Sequence, residues 1–314
     1  MSAETVSALM EYYFSQRVLA KKTKQQYESV VRVLVHDTSD RIDALDEAVL
    51  LAWRDQVIDR ASSATFNNYL RHLRAIFNYG LKHQHVASNP FSALEMAPML
   101  RRKPRVISRS QYARVLDYVK HSGEFEPAWF WTAVIEFMAT TGVRGRQLVA
   151  LKWRDLDFAE AAIRLRAEGS KTRREWSIPL PDAIGDTLHE WKLRQGIHKT
   201  PALLSGQVFN VTLYHDKYLG CKMTITQLND FYSRLSNKLG FRVGSRILRH
   251  SLANHLANYN DVGEGYLFAL KDLLGHTDIR TTQIYVSGNI GRIRKMLNDS
   301  GISSNRRSKK IPSL

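Results

Sequence analysis

A mainly α-helical protein of two domains, the second carrying one small antiparallel sheet, is the fold class that the sequence predicts. Three observations lead there. Apolar residues recur at spacings of three and four through most of the 314 residues, the period of a helix with one buried face. Only three short stretches look like strands: DLDF (155–158), AIRLRA (162–167) and EWSIPL (175–180). A proline-punctuated basic segment, RRKPR (101–105), separates an all-helical part from the mixed part, and the length suits about two domains.

Residues 1–97 form the first domain in this reading. VSALMEYYFSQ (6–16) sets Val6, Leu9, Met10 and Tyr13 on one helical stripe, and KTKQQYESVVRVLVHD (22–37) does the same with Tyr27, Val30, Val31 and Leu34. DEAVLLAWRDQVIDR (46–60) is a third helix with Val49, Leu50, Trp53 and Val57 apolar. Ser62 or Ser63 caps a long fourth helix that reaches Lys82 to His85, because a short hydroxyl side chain can satisfy the first free backbone N–H groups. Tyr69, Leu73, Ile76, Phe77 and Leu81 are expected inward, and Arg71 and Arg74 lie off that stripe. Asn89-Pro90 ends the run.

Residues 98–107 read as an extended linker. Arg101, Arg102, Lys103 and Arg105 make it strongly cationic, and Pro98 and Pro104 oppose a helix. It is either a strap along a polyanion or a solvated connection; the charge of the whole chain favours the strap.

The second domain spans 108–300, with a basic tail over 301–314 that is expected to be disordered. Ser108 and Gln111 have capping-box spacing for a helix over 110–120. Pro127 opens an apolar helix that Gly142 closes, and a short helix follows over 145–152. In the strand candidate AIRLRA, Ile163 and Leu165 alternate with Arg164 and Arg166, the period-two pattern of a half-buried strand. Further helices are expected over 181–194, 226–239, 247–259, 266–274 and 289–298.

Composition narrows the partner. Lys and Arg number 46 against 30 Asp and Glu, a formal charge of +16. Such an excess points first to nucleic acid and second to an anionic membrane surface. No run of ~18 apolar residues occurs, so no membrane span is expected. Cys221 is the single cysteine, which fits a reducing, cytoplasmic setting. The N-terminus carries Glu4 and Glu11 and has no basic lead into an apolar stretch, so it is not a secretory signal.

Several common chemistries are absent. The chain has no GxxxxGK[ST], no HExxH and no CxxC pair. Asp155 and Asp157 have no third acid nearby in sequence and read as a solvated strand entry rather than a metal pair. What remains is cationic. Arg144 follows the helix-ending Gly142, where a side chain projects into a cleft, and its planar fork of donors matches phosphate oxygens. Lys171 lies in GSKTRREWSIPL (169–180), at the turn of a hairpin, where it can reach a cleft and give up a proton. Taken alone, each reads as a surface cation.

Four segments in order change that. TTGVRGRQLVALKW (140–153), the hairpin lysine eight residues before Pro179, LRHSLANHL (248–256) and LLGHTDIRTTQIY (273–285) together resemble the tyrosine recombinase, or phage integrase, family. The resemblance implies Arg144 and Arg249 as catalytic arginines, Lys171 as the hairpin lysine, His276 beside them and Tyr285 as the nucleophile. It covers nearly the whole chain, since 1–97 resembles, more weakly, the helical core-binding domain of the family. Two positions depart from the family. Arg246 stands where the second arginine segment usually has a histidine, and Gln147 where an acid often follows the first arginine. Arg246 can donate to a phosphate oxygen but cannot act as a base. His255 reads as structural, and His250 is left without a role.

The resemblance further implies a C-shaped clamp on duplex DNA that cuts it through a 3′-phosphotyrosine and rejoins it to another strand, as a site-specific recombinase. Four protomers would meet on paired half-sites, in the bacterial nucleoid, with DNA-bending accessory proteins as further partners. A phosphodiester bond is kept in the covalent link, so no cofactor is required. Arg71, Arg74, Arg101, Arg102, Lys103 and Arg105 are the expected DNA-binding residues, and Arg246 joins the catalytic set in place of the usual histidine. Two alternatives stay open: a topoisomerase IB-like or hairpin-forming enzyme with the same cleavage chemistry, and a DNA-binding regulator whose catalysis has decayed. The chain starts directly with the helical region, so a separate domain for distant arm sites is expected to be absent. GNIGRIRKML (288–297) has helical spacing and would dock either on its own protomer or on a neighbour.

Overall fold

The computed structural model describes residues 3–99, 103–167, 174–195, 206–258 and 265–286. The chain divides into two compact units, Met1–Arg102 and Lys103–Leu314.

Four helices make the first unit: α1 (Val6–Ser15), α2 (Lys21–Asp37), α3 (Glu47–Arg60) and α4 (Ser63–Lys82). Three begin at side-chain caps. Thr5 accepts from the Ala8 amide, Asp46 from Val49 and Ser62 from Thr65. These caps satisfy amides that have no partner inside the helix. α4 packs against α1, α2 and α3, and is the centre of the unit. Its buried stripe includes Phe66, Leu70, Leu73, Ile76, Phe77 and Gly80, which corrects the expected stripe at its two ends. Tyr69 is half-buried, with Leu70 the buried neighbour. Leu81 is exposed, and the buried position is Gly80. A Cβ there would lie 2.7 Å from Leu9 Cδ1, so a larger residue would force the Leu9 side chain to shift where α1 packs on α4.

The second unit contains α5 (Arg109–His121), α6 (Ala128–Thr141), α7 (Gly145–Ala150), β1 (Leu156–Asp157), β2 (Ala162–Leu165), β3 (Trp176–Pro179), α8 (Asp182–Gln195), α9 (Ile225–Leu239), α10 (Ser245–Ala257), α11 (Gly265–Leu274) and α12 (Arg280–Gln283). α6 is apolar nearly all round and packs against α5, α8 and α10, as a helix without a polar face must. Phe130, Trp131, Ile135, Phe137 and Met138 are fully hidden, each worth ~1.5–3 kcal/mol over exposure. Gly142 ends α6 in the left-handed conformation, φ +64°. The Ser108–Gln111 capping box is present on α5, and a second one, Thr224–Gln227, starts α9.

The sheet runs β1-β2-β3, antiparallel throughout. Ile163 faces Ile178, Arg164 faces Ser177 and Leu165 faces Trp176. Ile163, Leu165 and Ile178 are buried while Arg164 and Ser177 face solvent, which is the alternation read from the sequence. Asp155 is buried and paired with Arg166, and it also accepts from the Lys152 amide at 3.0 Å. The Asp155 carboxylate is thus a structural partner, held by an arginine rather than facing solvent.

α10 packs against both α6 and α11, and α11 against α12. Ala253, Ala257, Leu270, Leu274 and Tyr285 form a small core of their own. The helix expected over 289–298, the tip of the β2–β3 hairpin with Lys171, and Arg101 and Arg102 lie outside the described residues.

Candidate active site

Arg249 sits in the middle of α10 and is 6% exposed. Its Nη1 donates to the Gly142 carbonyl at 2.6 Å and its Nη2 to the Leu274 carbonyl. Those carbonyls lie at the C-terminal ends of α6 and α11, where backbone oxygens lack helical partners and the helix dipole is negative. One guanidinium therefore ties two helix ends together. Arg144 stands two residues beyond Gly142, at the start of α7. Its backbone N–H donates to Gln147 Oε1 at 2.8 Å. Gln147 thus fixes the Arg144 backbone, a job that needs an acceptor but no charge. Arg144 Nη1 is buried and has no hydrogen-bond partner among the described residues.

Gly275, φ +59°, closes α11. The Gly275 amide donates to Asp272 O and the His276 amide to Lys271 O, both at 2.9 Å; this pair of bonds is a Schellman closure. It delivers His276 into the site. His276 Nε2 is 3.2 Å from Arg249 Nη2, and Nδ1 is 2.9 Å from Thr282 Oγ1. Arginine has no acceptor, so Nε2 accepts and Nδ1–H donates to Thr282. Burial, with Arg249, Arg144 and His250 adding to it, holds the His276 pKa down at about 4. The ring is therefore neutral at pH 7. Its Nε2 lone pair is turned to Arg249.

Tyr285 is 3% exposed and its ring lies 12° from parallel to His276, 6.5 Å away. Asn258 Nδ2 donates to its carbonyl at 3.0 Å. Its hydroxyl is 2.6 Å from His250 Nδ1. Arg246 Nε in turn donates to His250 Nε2 at 3.3 Å. Burial raises the Tyr285 pKa, and Arg249, Arg246 and Arg144 oppose that rise. Burial also lowers the Arg249 pKa to about 9, with Arg144 contributing, and lowers that of Arg144.

The structure thus brings together Arg144, Arg246, Arg249, His276 and Tyr285. No ion pair joins any of these arginines to a carboxylate among the described residues. Three cations without a counter-ion around one tyrosine form a place for an anion. Nor does any group of three or more His, Cys, Asp or Glu able to hold a metal occur among the described residues. Sequence reasoning missed His250, Asn258 and the reach of Thr282. His250 carried one usable signal: it lies four residues after Arg246, on the same helix face.

The expected DNA-binding residues divide. Arg105 and Arg242 line a groove that also holds Asn229, Ser233, Asn237 and Arg246, so Arg105 stands beside the site. Arg71 and Lys103 are exposed. Arg74 is half-buried and holds backbone carbonyls of its own unit. Its Nε donates to Phe91 O at 2.9 Å and its Nη2 to Ser92 O at 3.2 Å and to Leu94 O. Through Nε and Nη2 that guanidinium clamps the chain returning past α4. Lys171 is outside the described residues, but the strands that carry it are not. The Trp176 ring on β3 lies where a Cβ on Gly275 would sit, 2.3 Å from Trp176 Cζ2. The base of the hairpin is therefore packed on the turn that delivers His276.

Comparison with known proteins places these residues in one lineage. The model of the phage integrase family matches residues 105–291. The chain is 25% identical to the tyrosine recombinase XerC of Xylella fastidiosa over 291 residues, 89% of this chain and 92% of that one. It is 23% identical to the tyrosine recombinase XerD of Haemophilus influenzae over 296 residues, 93% and 95% of the two chains. A XerC-type relative in Pseudomonas syringae is 27% identical over 314 residues, and the chain spans 65% of that protein's length. Among solved structures, the integrase of the transposon Tn1549 with a circular-intermediate DNA superposes with a TM-score of 0.73 at 19% identity, covering 95% of this chain and all of that one. The lambda integrase dimer on a core site gives 0.71 at 18% identity, covering 91% and 78%. With its family model spanning more than half its length and including both arginines, the histidine and the tyrosine, the chain belongs to the phage integrase family.

Proposed function

We propose that the protein is a tyrosine site-specific recombinase, which cuts duplex DNA with Tyr285 and exchanges strands through a 3′-phosphotyrosine. The observation that carries this reading is the cluster of Arg144, Arg246 and Arg249, of which Arg249 is buried and none is paired with a carboxylate among the described residues, beside the Tyr285 hydroxyl. Attack on a phosphodiester builds negative charge on the non-bridging oxygens. Fixed donors aimed at that charge lower the barrier, each by ~3 kcal/mol. Arg144 Nη1, with no partner among the described residues, is free to meet such an oxygen. Arg249 and Arg246 supply the surrounding positive field.

The bond from the Tyr285 oxygen to phosphorus forms as the bond to the 5′ oxygen breaks. Lys171 is the proposed donor of the proton that this oxygen takes. One phosphodiester is exchanged for another, so no ATP is needed. The 5′ hydroxyl of a second strand then reverses the step and completes the exchange. Similarity to XerC and XerD recombinases and to integrases solved on DNA supports this reading. A lambda integrase tetramer bound to a Holliday junction, with a TM-score of 0.70, supports the further proposal that four protomers act on paired half-sites. The proposed setting is the bacterial nucleoid, with DNA-bending proteins assisting.

Two copies of a candidate site, taken from DNA flanking the gene, should be tested on one plasmid. The wild type should delete or invert the interval and Tyr285→Phe should not. Relaxation of supercoils by the wild type without any exchange of the two sites would refute the recombinase reading and favour a topoisomerase.

A further inference from the structure

The family's second-arginine segment usually offers a histidine where this chain has Arg246. Here an imidazole appears one helical turn later. Arg246 and His250 are four residues apart on α10 and share a face. His250 Nδ1 lies 2.6 Å from the Tyr285 hydroxyl, and Arg246 Nε lies 3.3 Å from His250 Nε2. A histidine against a tyrosine nucleophile invites the role of general base. The geometry points to the opposite role.

Arginine carries donors only, so its contact with Nε2 is a donation into that nitrogen's lone pair. A neutral imidazole has one N–H, which must then be on Nδ1. Nδ1 is the atom that touches Tyr285. We propose that His250 is a further catalytic residue that donates its Nδ1–H to the Tyr285 oxygen and so stabilises the phenolate, with Arg246 as the positioning residue that fixes its tautomer. The proposal rests on the reading of Tyr285 as the nucleophile.

Charge supports the same direction. The charged and titratable groups facing Tyr285 among the described residues are Arg246, Arg249 and His250 from α10, Arg144 from the turn after α6, and His276 from the turn after α11. These cations favour an anion on Tyr285 and disfavour a cation on His250. Burial, Arg246 and Arg249 hold the His250 pKa below that of a free imidazole, and burial holds Tyr285 above a free phenol. The gap between them is then wider than the roughly 3.5 pH units between the free groups. A proton passed from Tyr285 to His250 would go far uphill, into the face of two guanidinium groups. In the donor role, the phenolic proton goes to water. The phenolate then bonds phosphorus as the 5′ oxygen leaves with a proton from Lys171. In the reverse step the same Nδ1–H receives the departing tyrosinate.

A donor and an acceptor shift the phenol pKa in opposite directions, because one stabilises the anion and the other the neutral form. The test is a titration of Tyr285 by fluorine NMR, in protein carrying 3-fluorotyrosine to bring the phenol into an accessible pH range. Tyr285→Phe identifies the signal. His250→Ala should lower the acid dissociation constant of Tyr285 about tenfold, one pH unit. His250→Asn, whose amide nitrogen takes the place of Nδ1, should restore most of it. A rise in the constant, or no change, in His250→Ala overturns the proposal. Should the alanine variant fail to fold, the Asn and Gln variants carry the test: Asn near wild type with Gln reduced supports the donor, and equality or the reverse overturns it. No DNA is needed, so this result is separate from the functional reading. That reading is scored by covalent adducts on nicked duplexes tiled across the gene-flanking DNA.

Discussion

Arg144 and Arg249 occupy one cage, yet their removal should have unequal effects on stability. Methionine is the informative replacement, since it keeps length and apolar bulk without charge. Arg249→Met deletes the donors to the Gly142 and Leu274 carbonyls. Each charge-assisted bond to a buried group is worth ~1.5–3 kcal/mol, and two carbonyls are left unsatisfied. Relief of a buried charge beside Arg144 offsets part of this, leaving a net loss of ~2–4 kcal/mol. Arg144→Met deletes a guanidinium whose buried Nη1 has no partner among the described residues. It removes a like charge from Arg249 and should leave stability unchanged or raise it by ~1 kcal/mol. The midpoints of the two variants should therefore differ by several degrees, at ~2–4 °C per kcal/mol for a unit of this size. Calorimetry on the full chain reads that difference. Cleavage of a nicked duplex should fall ~100–1000-fold in both. Equal destabilisation by the two substitutions would refute the reasoning, as would cleavage retained by Arg144→Met.

Three further outcomes are expected. Gly275→Ala should lose ~2–4 kcal/mol of stability, because alanine resists φ +59° and its Cβ would overlap the Trp176 ring at 2.3 Å; a thermal midpoint equal to wild type contradicts this. Stability should fall as pH drops from 6.5 toward 4: the folded pKa of His276 is about 4 against ~6.5 unfolded, so the unfolded chain binds more protons in that window. The contribution is fully present above the upper value, lost through the lower, and on the order of 2–3 kcal/mol; urea titrations should show His276→Asn with a flatter profile than wild type, and parallel profiles would count against it. Arg246→His should slow cleavage by roughly tenfold through loss of one cation, and a gain in rate would show the natural site to be impaired.

Much of this was legible in the sequence, and the exceptions have a common cause. The buried stripes of α1 and α2, the capping box on α5 and the closure of α6 by Gly142 are local, set by periodicity and by residue types within one turn. The proposed catalytic set could be put forward from the sequence because each member sits in a short segment whose neighbours are nearby in sequence. Contacts across the chain were not. Arg74 looks like any basic residue on a helix until the return of Phe91–Leu94 past α4 takes its Nε and Nη2 donors. Gly275 reads as a helix stop, while its nearest demand comes from Trp176, on a strand far upstream. Leu73, Ile76 and Phe77 were placed inward correctly, but Leu81 lies one residue beyond the buried position, which is Gly80. His250 lay in plain view beside Arg249, but its function comes from the helical phase it shares with Arg246 and from the point where Tyr285 arrives.

The central claim is that Tyr285 becomes covalently joined to DNA. A nicked duplex carrying the cognate site lets the short 5′ fragment diffuse away and traps that state. After denaturing electrophoresis, wild-type protein should show one shifted band, and peptide mapping should find a phosphodeoxynucleotide on Tyr285. Tyr285→Phe should show no such band on the same duplex. An adduct that persists in Tyr285→Phe, or one mapped to another residue, contradicts the account.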